Sequence, residues 1–347
     1  MSEAYARAGV DTGDAGRAVK ALVGVLNAID PGRPSRVVPL PGHFASVIEI
    51  APNLGLAVCT DGVGSKVIVA ESCQRYDTVG IDCVAMNVND LVCVGAEPVA
   101  LLDYLAVEHA DAEVCEAIAR GLRAGAEQAG VEIPGGELAQ LPELIRGHPS
   151  PRGFDLTAAA FGTVALDAIV SGAACTPGDA LIGLPSSGVH SNGLTLARRA
   201  LLEEGGLALD DHPALLEGRS VADALLEPTV IYVRAVLELL RSDIAIHGLA
   251  HITGGGLRNL LRLGGERLGF AIEDPLPVPA ICALVARRGD VPTAEMWDVF
   301  NMGCGFVALV PDDRAADAVA LLGAHHPGTA RIGTVTGEGG RLSAPGL

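Results

Sequence analysis

Hydrophobic and polar residues follow one another along this chain with two different periods. Apolar residues at the three-to-four-residue spacing of amphipathic helices occur over residues 14–27, 77–94, 111–130 and 227–240. Apolar or alternating runs typical of strands occur over residues 44–50, 55–60, 98–107, 154–165 and 179–184, and strands and helices alternate again from residue 246 onward. The pattern predicts a layered protein of the α/β or α+β class.

Length and composition indicate two domains with ample core. The chain has 347 residues, of which 49% are hydrophobic, and a chain of this length usually divides into two domains. The segment from Leu166 to Gly178 is rich in small and turn-forming residues, so we place the boundary there. We therefore expect an N-terminal domain over residues 1–168 and a C-terminal α/β domain over residues 169–347.

The net charge of the chain limits the kinds of partner that it can bind. A formal net charge of −18 repels nucleic acid and anionic membrane surfaces. Any phosphate-bearing ligand must then be held by local cations, metal ions or backbone amides. The eight cysteines include no C-x-x-C pair and most lie in apolar runs, as structural thiols do. Neither a secretory signal pattern nor a membrane-length apolar run is apparent, so we expect a cytoplasmic protein.

Polar residues concentrate in a short stretch of otherwise apolar sequence. The strand over residues 55–60 runs into the turn TDGVGSK at residues 60–66. Asp61-Gly62 alone is an ordinary hairpin signal. Together with Gly64, Ser65 and Lys66 directly after a strand, it favours a loop that binds phosphate or metal, because glycines let backbone N–H groups approach an anion.

The helix predicted next carries polar residues on an apolar background. Asp82 and Asn89 lie seven residues apart and therefore on one helix face, with Asp90 beside Asn89. This face is either a ligand-binding surface or a solvated polar edge, and the residues alone leave both open. Farther on, Gly135-Gly136 precedes Glu137 at the end of a predicted strand, where an acidic side chain is either a metal contact or merely exposed.

Two turns of the second half have the composition of anion sites. Residues 185–193 (PSSGVHSNG) place hydroxyl, amide and imidazole groups before a helix predicted from about Leu194, and residues 253–256 (TGGG) form a second glycine-rich strand-to-helix turn. No dinucleotide G-x-G-x-x-G, Walker P-loop or H-E-x-x-H occurs. The residues by themselves therefore predict an ATP-using enzyme with no named substrate.

A series of motifs carries a family resemblance. In chain order they are Tyr5 with AGVD at 8–11, TDGVGSK at 60–66, DTVGID at 77–82, AMNVNDL at 85–91, GAEP at 95–98, LDY at 102–104, GGE at 135–137, SSG at 186–188, HSNG at 190–193, EPT at 227–229, AHITGGG at 250–256 and FNMG at 300–303. Their order resembles the phosphoribosylformylglycinamidine cyclo-ligases, or aminoimidazole ribonucleotide synthetases, over nearly the whole chain.

The resemblance implies a fold, an activity and an assembly. It implies a homodimer in which the N-terminal strands pair into a barrel, followed by a layered C-terminal α/β domain, with ATP and substrate in a cleft between the domains. The family converts formylglycinamidine ribonucleotide to aminoimidazole ribonucleotide in purine synthesis, with ATP and Mg²⁺; whether K⁺ is also required is left open. No nucleic acid or membrane partner is implied.

The resemblance also implies site residues, by motif position. The expected catalytic residues are Asp61, Lys66 and His190. The expected ATP-binding residues are Gly62, Gly64, Ser65, Lys66, Asp82, Asn89, Asp90 and Gly136. The expected substrate-binding residues are Ser187, Gly188, His190, Ser191, Asn192, His251, Thr253, Gly254 and Gly255. The expected metal ligands are Asp61, Asp90 and Glu137.

Two departures from the family pattern keep alternatives open. Residues 41–44 read Pro-Gly-His-Phe where the family usually has Gly-Gly-Phe-Gly, and residues 138–142 read Leu-Ala-Gln-Leu-Pro where it usually has Thr-Ala-Glu-Met-Pro. Leu138 and Gln140 thus replace a hydroxyl and a carboxylate. A paralogue acting on another small amide or phosphate substrate, and a nucleotide-binding dimer without turnover, are the alternatives.

Overall fold

The N-terminal half is organised around one six-stranded sheet. The computed structural model describes residues 12–347; Tyr5 and residues 8–11 of the family motifs lie outside the described residues. The strands are β1 (Val37–Val38), β2 (Ser46–Ala51), β3 (Leu54–Gly62), β4 (Glu97–Val107), β5 (Glu132–Gln140) and β6 (Phe154–Ala165). Their spatial order is β1-β2-β3-β6-β4-β5, with β4 and β5 parallel and the other neighbours antiparallel.

Helices α2 (Lys66–Cys73), α3 (Asp77–Cys93) and α4 (Ala112–Ala129) lie on one side of this sheet, and an exposed helix α1 (Thr12–Leu26) precedes it in the chain. Most of α3 is buried between the sheet and α4. Local signals set the ends of α4: the Asp111 side chain accepts hydrogen bonds from the N–H groups of Glu113 and Val114, and Gly130 ends the helix at φ +74°.

The C-terminal half contains a second six-stranded sheet. Its strands are β7 (Ala180–Pro185), β8 (Gly248–His251), β9 (Gly269–Ile272), β10 (Cys304–Val310), β11 (Ala330–Thr336) and β12 (Leu342–Ser343). The order is β12-β9-β11-β7-β10-β8, with only the β12–β9 pair parallel. Strand β10 is buried along its whole length, which explains its nearly continuous apolar sequence.

Short helices surround the second sheet. They are α5 (Leu194–Arg198), α6 (Val221–Leu225), α7 (Val233–Leu240), α8 (Leu261–Gly264), α9 (Ala280–Arg288), α10 (Thr293–Val299) and α11 (Ala315–His325). A π-helical turn (Arg199–Glu203) extends α5, and 3-10 turns are found at Leu166–Ala168, Ala214–Leu216, Gly256–Leu260 and Asp312–Arg314. Over residues 12–347, no helix is long and apolar enough to cross a membrane.

The predicted fold class is confirmed, and two element predictions are corrected. The chain is a mixed α/β protein with one sheet in each half. The first sheet ends at Ala165 and the second begins at Ala180; the boundary after residue 168 falls in the connection between them and stays a prediction. The helix predicted over residues 227–240 begins only at Val233, and the sequence prediction missed α2.

The sheet face opposite the helices is apolar and open. Ile50, Leu54, Leu102 and Tyr104 project from it with 37–46% of their surfaces exposed. Helix α1 likewise presents an exposed apolar stripe that includes Leu22. Apolar areas of this kind usually mark an interface with another protein surface.

Glycines bring helices α3 and α4 into backbone contact. A Cβ atom added to Gly80 would overlap the main chain of residues 118–122, and one added to Gly121 would overlap the carbonyl oxygen of Asp77. Only the absence of side chains at these two positions permits the approach. The position of α3, and of every polar side chain on it, therefore depends on this contact.

We predict that Gly121→Ala lowers the free energy of unfolding by about 1–3 kcal/mol, because the new methyl group must push α4 away from α3. The matched variant is Gly24→Ala in α1, where no atom lies within 4 Å of the added Cβ. There, alanine should be neutral or stabilise by about 0.5–1 kcal/mol. Urea unfolding measures both, and equal effects of the two substitutions would contradict the close helix packing.

Candidate active site

Asp61 lies at the end of β3, where a side chain of helix α3 holds its backbone by hydrogen bonds. The carboxamide of Asn87 on α3 accepts from the Asp61 N–H through Oδ1 (3.0 Å) and donates from Nδ2 to the Asp61 carbonyl (3.1 Å). The same Nδ2 also donates to the Cys83 carbonyl (2.9 Å). Because both backbone groups of Asp61 are fixed by one buried side chain, its carboxylate is presented from a rigid support.

A second carboxylate lies near Asp61. Burial raises the pKa of Asp61; the hydrogen bond from the Gly62 N–H (2.7 Å) opposes this effect, and the negative charge of Asp90 adds to it. His251 and Arg262 contribute smaller opposing effects. Two neighbouring, partly buried carboxylates form a site that a divalent cation would stabilise.

Asp90 connects the two halves of the protein through His251. The Nδ1 atom of the buried His251 ring lies 2.9 Å from Asp90 Oδ1, and its Nε2 atom lies 3.4 Å from the side-chain amide of Asn89. An amide donor at Nε2 places the imidazole proton on Nδ1, which then donates to Asp90. His251 therefore orients Asp90 from the second sheet.

Lys66 and Asp82 form a fully buried ion pair. Lys66 Nζ lies 2.9 and 2.8 Å from the two carboxylate oxygens of Asp82 and donates to the Glu227 carbonyl (2.6 Å), and both side chains are 0% exposed. Burial lowers the pKa of Lys66, and the charge of Asp82 opposes that shift. This geometry commits the ammonium to protein acceptors, and the ATP contacts expected of Lys66 and Asp82 stay predictions.

The same carboxylate explains why residues 227–232 are not helical. Asp82 Oδ1 accepts from both the N–H (2.8 Å) and the hydroxyl (2.6 Å) of Thr229. Asn89 accepts from the Tyr232 N–H (2.9 Å) and donates to the Val230 carbonyl (2.9 Å). Side chains of α3 thus replace the hydrogen bonds that a helix would have supplied, which is the physical reason for the wrong helix start.

The loop over residues 186–193 contacts the 60–66 turn directly. Ser191 Oγ donates to the Val63 carbonyl (3.1 Å), and Ser65 Oγ lies 2.9 Å from Thr195 Oγ1. Asn192 extends toward Met86 on α3. The structure therefore brings the polar turns of the two halves together, as expected for walls of one cleft.

His190 is buried inside its loop. It has φ +58°, is 1% exposed, and accepts from the Ser187 N–H at Nε2 (3.2 Å). Burial lowers the pKa of its ring well below the ordinary value, so the imidazole is neutral. Its position fits loop organisation, and the catalytic role expected of His190 stays a prediction.

Asn301 fixes the other side of this loop. Its Oδ1 accepts from the Ser186 hydroxyl (2.8 Å) and the Gly303 N–H (3.0 Å), while Nδ2 donates to the Gly188 carbonyl (2.8 Å). Asn87, Thr229 and Asn301 belong to the family motifs, but the sequence alone does not assign them to the site. A polar side chain inside an apolar run was the signal available in the sequence.

The glycine-rich turn after β8 is shaped by backbone crowding. Gly255 and Gly256 have φ values of +95° and +54°, and a Cβ on Gly256 would meet the carbonyls of Trp297 and Phe300. Asn259 Nδ2 donates to the hydroxyl of Thr253 (3.0 Å). Gly254 is exposed and lies near Asn192 Oδ1, so its backbone is accessible at the contact between the two halves. We call this contact the seam; it is formed by the 60–66 turn and α3 on one side and by residues 186–193 and 227–232 on the other.

Glu137 lies apart from the other expected metal ligands. Glu137 on β5 pairs with Tyr104 on β4, and the row continues through Thr157 on β6 to Gly62 on β3. Three strand spacings separate β5 from β3, about 14 Å. Gly136 packs against Asp103 at the same edge. Within one chain Glu137 is therefore distant from Asp61, and its metal role stays a prediction.

Comparisons with known proteins cover both halves. Residues 42–164 match the family model "AIR synthase related protein, N-terminal domain" and residues 176–343 match its C-terminal domain. The chain is 48% identical over 339 residues to the phosphoribosylformylglycinamidine cyclo-ligase of Thermococcus gammatolerans, covering 97% of this chain and 96% of that protein. It is 46% identical over 340 residues to the cyclo-ligase of Methanothermobacter thermautotrophicus, with the same coverage.

Solved structures share the fold at lower identity. A thiamine-monophosphate kinase from Stenotrophomonas maltophilia superimposes with a TM-score of 0.63 at 22% identity, over 90% of this chain and 92% of that one. The hydrogenase maturation protein HypE in complex with ATP gives 0.61 at 20% identity, over 89% and 88%. Both likenesses concern the fold.

We predict that Lys66→Met lowers the free energy of unfolding by about 3–5 kcal/mol, because it leaves the Asp82 carboxylate buried without its cation. Arg120→Met, which breaks an exposed pair with Glu116, should cost less than about 1 kcal/mol. Urea unfolding measures both. A Lys66→Met protein that is as stable as the parent but has lost ATP affinity would support the expected phosphate contact instead.

Proposed function

The chain belongs to the phosphoribosylformylglycinamidine cyclo-ligase family, and on that premise we propose how its site carries out the family's reaction. The enzyme converts formylglycinamidine ribonucleotide to aminoimidazole ribonucleotide at the expense of ATP, releasing ADP and phosphate. The observation that carries this function is the 42–48% identity to cyclo-ligases over most of the chain. As a consumer of ATP and a nucleotide intermediate, it is proposed to work in the cytoplasm.

The reaction requires activation of an amide oxygen and closure of a ring. We take the formyl oxygen of the substrate to accept the γ-phosphoryl group of ATP, after which an internal nitrogen attacks the activated carbon and phosphate leaves. The protein must hold the two substrates in line and exclude water from the phosphorylated intermediate. The contact between the 60–66 turn and the 186–193 loop supports a site enclosed by both halves.

The carboxylates fit Mg²⁺ that arrives with ATP. Among the described residues, no group of three or more His, Cys, Asp or Glu side chains could hold a metal ion by itself. Nucleotide-bound Mg²⁺ needs only one or two carboxylates and takes its other ligands from phosphate and water. Asp61 and Asp90 meet that requirement, and the bound ion would neutralise polyphosphate charge. A requirement for K⁺ stays open.

The first sheet supports the proposed homodimer. Its open face carries Ile50, Leu54, Leu102 and Tyr104, and no described element of the same chain covers them. A second copy related by a two-fold axis would present the same apolar face to it. We propose that the two faces meet and that the strands close into a shared barrel.

We predict that Asp61→Asn abolishes turnover while the fold survives, because the change removes a metal-binding charge but keeps the side chain's shape. The assay incubates enzyme, ATP, Mg²⁺ and formylglycinamidine ribonucleotide and follows aminoimidazole ribonucleotide by diazo-coupling colour. Asp313→Asn, an exposed carboxylate of the second half, is the matched control and should retain full activity.

Three outcomes would point elsewhere. Wild-type activity in the Asp61→Asn protein would remove Asp61 from the metal site. ATP consumption without aminoimidazole would favour a paralogue acting on another small amide or phosphate substrate. ATP binding without ADP release would favour a nucleotide-binding dimer that has no turnover.

We predict that Leu102→Glu converts a dimer into monomers, because it buries charge in the middle of the proposed apolar interface. Leu144→Glu is the matched control, since Leu144 is 77% exposed in a loop and should tolerate the charge. Sedimentation velocity at micromolar concentration distinguishes the species. An unchanged sedimentation coefficient in the Leu102→Glu protein would place the interface on another surface.

A further inference from the structure

Arg262 is a cation of the second half that reaches the first half. It lies in α8, directly after the 3-10 turn that follows the glycine-rich segment. Its guanidinium carbon lies 4.8 Å from the centroid of the Phe44 ring, which belongs to the segment before β2. An arginine stacked on a ring keeps its charge and its planar N–H groups available for another partner.

The surroundings of Arg262 provide no acceptor for those N–H groups. Within residues 12–347, no hydrogen bond or ion pair joins Arg262 to a carboxylate or carbonyl, whereas its neighbour Arg258 is bound to Asp298 (2.6 Å). Beside Phe44, both ring nitrogens of His43 are buried without a partner. Burial, followed by the charge of Arg262, lowers the pKa of His43 to about 4, so this imidazole is neutral.

The ring beneath Arg262 lies toward the candidate metal site. Ser46 at the start of β2 pairs with Val58 of the antiparallel β3, so the segment before β2 that carries Phe44 approaches the end of β3 at Asp61. The guanidinium nevertheless stacks on Phe44 and makes no ion pair with Asp61. An exposed guanidinium without a protein partner, on the same side of the molecule as the Asp61 end of β3, suits a ligand that carries negative oxygens.

The ammonium of Lys66 is engaged with protein groups in this structure. Sequence reasoning assigned the phosphate cation to Lys66, but its ammonium is fully buried and bound to Asp82 and the Glu227 carbonyl. The only other lysine, Lys20, lies on exposed α1. In a protein of net charge −18, phosphate oxygens at the seam require a local positive charge from another residue.

We propose that Arg262 is a phosphate-binding residue of the cleft, held in place by the Phe44 ring. This inference rests on the proposed function for the identity of the ligand. The shared chemistry is a phosphate group, and its source is either the polyphosphate of ATP or the 5′-phosphate of the ribonucleotide. The planar fork of an arginine binds two phosphate oxygens at once, which a lysine cannot do.

The test measures binding of two simple probes by calorimetry, inorganic tripolyphosphate with Mg²⁺ and ribose 5-phosphate, to wild-type, Arg262→Gln and Arg262→Lys proteins. Arg258→Gln is the matched control from the preceding turn. Arg262→Gln should lower the binding affinity for one probe by about tenfold or more, with an unchanged melting temperature. Arg262→Lys retains the charge but lacks the planar fork, so its affinity for that probe should be intermediate. This variant also provides the test if Arg262→Gln does not fold.

The probe whose binding is weakened identifies the source of the phosphate. Loss of tripolyphosphate binding, with a raised KM for ATP, assigns Arg262 to the nucleotide. Loss of ribose 5-phosphate binding, with a raised KM for formylglycinamidine ribonucleotide, assigns it to the substrate. The proposal is overturned if wild-type protein binds neither probe, or if Arg262→Gln binds both as well as Arg258→Gln does. Failure of wild-type protein to form aminoimidazole would reject only the proposed function.

Discussion

The docking of residues 227–232 onto helix α3 is the interaction on which the rest of the structure depends. Three buried side chains of the first half, Lys66, Asp82 and Asn89, supply hydrogen bonds to the backbone of this segment. Charged groups are buried there only because each meets an opposite charge or several polar partners. The seam therefore has one well-defined geometry, and the turns on either side of it are placed by that geometry.

The candidate active site follows from this seam. Helix α3 holds the backbone of Asp61 through Asn87 and contributes Asp90, while β8 brings His251 to orient Asp90. Gly80 and Gly121 let α3 and α4 approach closely, and this packing fixes the position of α3 against the sheet. Small shifts at any of these contacts would move the two carboxylates relative to each other, and phosphoryl transfer depends steeply on such positions.

The distribution of cations shows what the tertiary structure adds to a sequence motif. Lysine in a glycine-rich turn after a strand is a reasonable phosphate ligand on sequence grounds, yet here the turn continues into α2 and carries Lys66 into the interior. Arg262 lies about two hundred positions away in sequence, yet its guanidinium stacks on Phe44 of the first half. No local pattern distinguishes an arginine that stacks on a distant ring from one paired at the surface, as Arg258 is.

The sequence by itself determined the fold class, most strands and helices, the family and the turns that meet at the cleft, because periodicity, glycine positions and motif order are local properties of the chain. Only the tertiary structure decided what the polar face of α3 binds, why residues 227–232 are not helical, and that Glu137 lies three strands from Asp61. Each of these depends on which distant groups share a buried space. Partners more than a hundred residues apart, such as Asp82 and Thr229, satisfy each other's hydrogen bonds only after the two halves have met.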